Sequence, residues 1–291
     1  MLKGTLGEIM YGTIIIDNSL PHAWERAMRF VGESPEIFTF GGGSEVKHAV
    51  DSQTDFILTH NAVAEAIAGM YHPGDPFCSP QKNKAYRKEY TAEFDPSAFD
   101  YTYYNLLVEG FKRYKPAEGL KNRIVKKLFG LDTYTTSNID QIAILRDGLE
   151  KQIDEQLQSN RNVAVLFNPA VDNFSGNTIP CFNEILVRWE GGTRCSVHTL
   201  FRSHDLGTAW NSNMITASWF VNREIAKPCG CTINSWDEKN FSLHIYNYDL
   251  PIIDTMPLVL RNPKLQVMQD KLMYNSLDDA QVNHVAVNGW S

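Results

Sequence analysis

Residues 179–205 read IPCFNEILVRWEGGTRCSVHTLFRSHD, and this stretch governs both the fold and the chemistry. It opens on a thiol behind a proline, Pro180-Cys181, and closes on Arg202-Ser203-His204-Asp205. Between them, Glu184 to Trp189 and Cys195 to Phe201 read as paired strands joined through Gly191-Gly192. The thiol therefore begins one strand and Arg202 ends its neighbour, so the two ends can share a cleft. A thiol becomes a strong nucleophile when a nearby positive charge lowers its pKa. A guanidinium grips phosphate through two parallel hydrogen bonds, and an adjacent hydroxyl adds a donor. A cysteine beside such a clamp points to covalent chemistry on a phosphorylated small molecule.

Further out, residues 241–248 form another strand, which carries His244-Ile245-Tyr246 with both outer side chains on one face. Residues 138–158 place Ile139, Ile142, Leu145, Leu149, Ile153 and Leu157 at helical spacing, with Ser137 or Asn138 as the cap. Arg161 to Phe167 reads as a strand, and Asn213 to Ala226 as a mostly apolar and hence buried helix. Residues 60–70 form an Ala-rich helix ended by His72-Pro73-Gly74-Asp75. Residues 75–100, rich in Pro, Lys and Ser, read as a long surface loop. The expectation is an α+β fold, a mixed β-sheet packed with helices.

The chain has 291 residues, 43% of them hydrophobic, enough for a full core without a linker or compositional break to divide it. One domain spanning 1–291 is expected. A net charge of −7 argues against a nonspecific nucleic-acid partner. No run of 18 apolar residues offers a membrane span, and Met1-Leu2-Lys3-Gly4-Thr5 lacks a signal peptide's apolar core. Five cysteines, an odd number, read as reduced thiols in a cytoplasm.

In order and spacing these motifs resemble the thymidylate synthase family, which includes the pyrimidine-nucleotide hydroxymethylases. The family carries Pro-Cys, then Arg-Ser-x-Asp after a hairpin, then an Asn, then His-x-Tyr on a late strand. Upstream, Asn138-Ile139-Asp140-Gln141-Ile142 is similar to the family's His-Ile-Asp-Gln segment, and Ser159-Asn160-Arg161 stands where the family has Ser-Arg-Arg. The likeness holds over about 138–250 and is poor over about 1–137.

The resemblance implies roles. Cys181 would attack C6 of a pyrimidine, making C5 able to capture a one-carbon unit from 5,10-methylenetetrahydrofolate, a cosubstrate. Arg202 and Ser203 would hold the 5′-phosphate, with Arg202 also steadying the thiolate. Arg161 would reach that phosphate from the partner subunit of a homodimer, while Asn160 replaces the family's other arginine. His244 and Tyr246 would bind the sugar hydroxyl. Asn213, by ungapped counting, or Asn211, if Leu206-Gly207 takes the family's Leu-Gly place, would read the base, with Asp205 nearby. Neither is Asp, which favours uracil over cytosine. Glu65 would drive proton transfers through ordered water, and Tyr101 would stand near proton abstraction, with Tyr103 and Tyr104 as competitors.

Two products can leave one intermediate. Hydride from tetrahydrofolate gives a methyl group; water gives a hydroxymethyl group. Thymidylate synthases exclude water with a tryptophan some twenty residues beyond the glutamate, and none lies between Glu65 and Tyr101. Phe182 follows the cysteine where synthases usually have His, and Val287-Asn288-Gly289-Trp290-Ser291 does not resemble their tail. The hydroxymethylase is thus favoured, with the synthase as alternative. A thiol hydrolase using Cys181 with one of eight histidines, and a nucleotide-binding protein without catalysis, also stay open. Gly41-Gly42-Gly43 lacks a following Gly-Lys, Cys229-Gly230-Cys231 lacks a second ligand pair, and no HExxH exists, so no metal is expected.

Overall fold

The hairpin around Gly191-Gly192 is the spine of the molecule, because both glycines take the left-handed backbone that a tight turn requires (φ 105° and 57°). The structure is a computed structural model describing residues 13–32, 38–39, 45–50, 54–72, 74–75, 77–91, 102–109, 112–116, 134–168 and 180–246. Residues 32, 38–39, 45–50, 89, 112–116, 134–137 and 246 are described by their backbone alone.

The first half contains β1 (Thr13–Asp17), α1 (Leu20–Gly32), β2 (Phe38–Thr39), β3 (Glu45–Val50), β4 (Thr54–Thr59) and α2 (His60–Ala68). Then come α3 (Pro80–Glu89), α4 (Tyr103–Val108), β5 (Lys112–Pro116) and β6 (Tyr134–Asn138). The motif-bearing half has α5 (Gln141–Asp154), β7 (Val163–Val165), β8 (Phe182–Gly191), β9 (Arg194–Phe201) and β10 (His204–Asp205). It ends with α6 (Trp210–Val221), a π-helical turn (Asn222–Ala226), β11 (Thr232–Asn240) and β12 (Leu243–Tyr246).

Six strands form one mixed sheet in the order β1-β4-β11-β9-β8-β7, with β1–β4 and β11–β9 parallel and the other neighbours antiparallel. A second sheet runs β10-β12-β3-β2, and β5 pairs with β6. Helices packed on the large sheet complete the α+β fold. Its inner face buries Ile15, Phe56, Leu58, Trp236, Val197, Phe201, Ile185 and Val187 in one cluster with α1, α2, α5 and α6. On the other face, register aligns Ile16, Ile57, Asp237, His198, Leu186 and Val163 in a row across all six strands. Ile14 and Ile16, each 56% exposed, leave its edge uncovered by any helix among the described residues.

Two expectations change. The segment expected as a surface loop contains α3, started by Ser79, whose side chain accepts the N–H of Lys82, with Pro80 at its first position. Its sequence has no apolar stripe, so capping rather than periodicity marks it. The cap of α5 is Asp140, which accepts the N–H of Ala143, rather than Ser137 or Asn138. That helix lies against β7 through Gly148, where any larger side chain would strike Asn162 Oδ1.

Candidate active site

Cys181 immediately precedes β8 and packs half-buried against the core. Its carbonyl accepts the backbone N–H of Arg202 at 2.9 Å, and Arg202 Nε donates to the Pro180 carbonyl at 3.1 Å. The antiparallel hairpin forces this meeting, since Phe182 pairs with Phe201. Burial pushes the Cys181 thiol above its ordinary value; Arg202 opposes the shift and Asp205 adds to it. Desolvation thus outweighs the guanidinium, and the resting group is a thiol rather than the thiolate expected beside Arg202.

Beyond Arg202 the chain turns through β10, which pairs in parallel with β12 and sets Asp205 opposite His244. Ser203 Oγ lies 3.3 Å from His244 Nδ1. Burial lowers the pKa of His244 against the opposing charge of Asp205, which keeps the ring neutral at pH 7. The Asp205 carboxylate accepts both the N–H and the hydroxyl of Thr208, closing the turn into α6. Arg202, Ser203, Asp205 and His244 therefore gather at one end of the sheet with Cys181. Tyr246 shares the strand of His244, but the register against β3 shifts between Ile245 and Tyr246, and its side chain lies outside the described atoms.

The two candidate asparagines have different surroundings. Asn213 Nδ2 donates to His204 Nε2 at 3.0 Å, and His204 Nδ1 is 3.2 Å from Glu238 Oε1. That oxygen also accepts from Trp210 Nε1 at 3.0 Å and Asn240 Nδ2 at 2.8 Å. Asn213 is thereby tied into a buried Glu238–His204–Asn213 chain. Asn211 Nδ2 donates instead to Asp75 Oδ2 at 2.7 Å. Glu238 was not among the sequence candidates. A strand reading of 232–240 would have found it, because Trp236, Glu238 and Asn240 share the core face and a carboxylate there is a buried charge.

Glu65 on α2 is buried, not on an exposed helix face, and its Oε2 accepts the N–H of Leu20 at 2.7 Å. It thus holds the first turn of α1. One turn on, Trp24 Nε1 donates to the Leu206 carbonyl at 2.8 Å and its ring lies 5.2 Å from His72. Two indoles, Trp24 and Trp210, flank the Leu206 turn although the interval from Glu65 to Tyr101 has none; both are fully buried. Tyr101 lies outside the described residues.

Arg161 sits apart. Asn162 and Val163 lie beside Val187 and Leu186, so Arg161 flanks the far end of β8 from Cys181. Six residues of strand separate those ends, about 20 Å. Arg161 and Arg202 of one chain cannot grip the same phosphate. Among the described residues, no three His, Cys, Asp or Glu side chains converge on a metal-sized site, and no helix is long and apolar enough to cross a membrane.

No protein-family model matches the chain. It is 23% identical over 247 residues to a Methanosarcina mazei protein named "Putative thymidylate synthase", covering 84% of this chain and 94% of that one. A Methanosarcina acetivorans protein of the same name matches with the same identity and coverage. One from Methanopyrus kandleri, also so named, is 25% identical over 127 residues, 44% of this chain and 54% of its own. These relatives support the thymidylate-synthase-like family that the motifs resemble, over most of the chain.

Proposed function

We propose that the chain is one catalytic unit that transfers a one-carbon group to C5 of a pyrimidine nucleoside monophosphate, leaving a hydroxymethyl group. The observation that carries the reading is the meeting of Cys181 with Arg202, backed by Ser203 and His244. In this reading Cys181 loses its proton and bonds to C6, placing an electron pair at C5 for attack on the one-carbon donor. Methylenetetrahydrofolate supplies that carbon. After the C5 proton is removed and tetrahydrofolate leaves, an exocyclic methylene remains. Water adds to it, and Cys181 departs from C6 to release the product. Glu65, through bound water, serves the proton transfers, and neutral His244 serves the sugar hydroxyl with Tyr246.

Arg161 completes the phosphate site from a second copy. Its place at the far end of β8 supports this arrangement, and so does the sheet face on which Ile14, Ile16 and Val165 are exposed among the described residues. Such a face is suited to a two-fold interface between like subunits.

The relatives' names favour a second reading, in which hydride rather than water meets the methylene and the product is thymidylate with dihydrofolate. The two readings part only at that last step. The test is mass analysis of the nucleotide product beside the absorbance rise of dihydrofolate, with UMP, dUMP, CMP and dCMP each offered. A silent trace and a product one oxygen heavier than the methyl compound are expected. A rise with a methylated product makes the chain a thymidylate synthase, and no covalent adduct with a 5-fluoropyrimidine nucleotide plus methylenetetrahydrofolate overturns both.

A further inference from the structure

Asp75 stands 136 residues from Asn211 in sequence, yet the two form one buried pair, 5% and 1% exposed. Three donors meet the Asp75 carboxylate. Oδ1 accepts the backbone N–H groups of Phe77 at 2.8 Å and Cys78 at 3.1 Å, and Oδ2 accepts Asn211 Nδ2 at 2.7 Å. Burial raises the Asp75 pKa, and the hydrogen bonds from Asn211, Phe77 and Cys78 together with the charge of Lys82 oppose the rise. As a carboxylate Asp75 can only accept, so it fixes which end of the Asn211 amide it faces. The other end, Asn211 Oδ1, is buried without a hydrogen-bond partner in the chain. An orphaned buried acceptor is destabilising, and a donor brought by a ligand removes that cost.

Asn211 lies in the first turn of α6, directly after the turn closed by Asp205 and Thr208. Asp205 is close enough to Cys181 for its charge to act on the thiol. Asn211 thus stands six positions along the chain from Asp205, on the helix into which the turn beside Cys181 leads. Lys82 Nζ, donating to the Thr208 carbonyl, ties the Asp75 segment to the same turn.

We propose that Asp75 sets base selectivity by taking the donor end of the Asn211 amide, which leaves an acceptor for the base and selects a 4-aminopyrimidine, a cytosine nucleotide, over a uracil one. The inference rests on the reading of Cys181 as the nucleophile for a pyrimidine. A free Asn can offer both donor and acceptor, which is why the sequence favoured uracil. Here the donor is already used. Cytosine presents its N4 amino group as a donor, whereas uracil presents O4, a second acceptor. Two acceptors opposed in a buried site lose the bond and leave both unsatisfied.

The isosteric substitution Asp75→Asn tests this. The new amide can keep its oxygen on the N–H groups of Phe77 and Cys78, which turns its NH2 toward Asn211. Two donors then oppose, the Asn211 amide rotates, and its own NH2 faces the base. Titration calorimetry of the full chain with CMP, dCMP, UMP and dUMP, and kcat/KM for each with methylenetetrahydrofolate, give the readout. The unmodified chain should prefer the cytosine nucleotides by about tenfold or more, and Asp75→Asn should move that ratio toward uracil by about tenfold or more. An equal loss for both bases would mean that Asp75 merely supports the fold, and overturns the inference. A uracil preference in the unmodified chain overturns it too, even if the variant fails to fold. Faster turnover of uracil than of cytosine nucleotides by the unmodified chain would do so while leaving the one-carbon reading intact; binding of none of the four nucleotides defeats both.

Discussion

The carboxylate of Glu65 closes the first turn of a helix to which it does not belong, its Oε2 accepting the Leu20 N–H at 2.7 Å across 45 residues of sequence. The first N–H groups of a helix lack partners within it, and Leu20, the first residue of α1, is fully buried where water is excluded. A buried carboxylate there is doubly favoured, by the hydrogen bond and by the positive end of the helix dipole. The same side chain is the proposed proton-transfer group, so its two roles need separating.

Glu65→Gln and Glu65→Ala separate them. Gln keeps an oxygen for Leu20 and should lower stability only slightly, while turnover falls by about a hundredfold or more because the amide cannot carry a proton. Ala removes the acceptor and should cost about 1–3 kcal/mol in urea unfolding. Normal turnover in a stable Glu65→Gln chain would end the catalytic assignment.

Cys181→Ala should abolish turnover and leave nucleotide binding largely intact. The resting thiol, raised by burial against the pull of Arg202, should react slowly with iodoacetamide at pH 7 and faster as pH rises above its elevated pKa. Removing the guanidinium by Arg202→Ala takes away the charge that favours the thiolate, so alkylation should start at still higher pH. A lower onset would show that the sign assigned to Arg202 is mistaken.

Arg161→Ala should raise KM and spare kcat, because a phosphate contact made equally before and during reaction is uniform binding. Mixing Arg161→Ala with Cys181→Ala chains should restore part of the activity through dimers holding one complete site. Failure of the mixture to recover activity, with dimers present, would confine Arg161 to its own chain.

How far the sequence carried can be judged from particular segments. The hairpin was legible because its strands are rich in apolar and β-branched residues about Gly191-Gly192, and α5 because Ile142, Leu145 and Leu149 repeat at helical spacing and are buried. β11 was hidden because the polar run Asp237, Glu238, Lys239 and Asn240 carries no apolar alternation; only tertiary burial turns Glu238 and Asn240 inward. The grouping of Cys181 with Arg202 followed from strand pairing. The Asp75–Asn211 and Glu65–Leu20 contacts could not be read, since each joins segments far apart by one hydrogen bond that leaves no periodic trace.

His72 provides a prediction independent of catalysis. It is fully buried against Trp24, its Nδ1 accepts the Gly74 N–H at 3.0 Å, and its Nε2 has no hydrogen-bond partner. Burial, with smaller contributions from His22 and Arg29, lowers its pKa from 6.5 to about 4. The fold therefore favours the neutral ring. Above pH 6.5 both folded and unfolded chains hold it neutral and its contribution is complete. As pH falls from 6.5 to 4 the unfolded chain takes up a proton that the folded chain refuses, and stability declines by up to about 3 kcal/mol. His72→Asn keeps an oxygen near the place of Nδ1 for the Gly74 N–H but cannot titrate. Urea midpoints measured from pH 7.5 to 4 should fall less steeply for this variant than for the unmodified chain. Parallel curves would show that His72 protonates as readily folded as unfolded, and that its burial does not govern the acid limb.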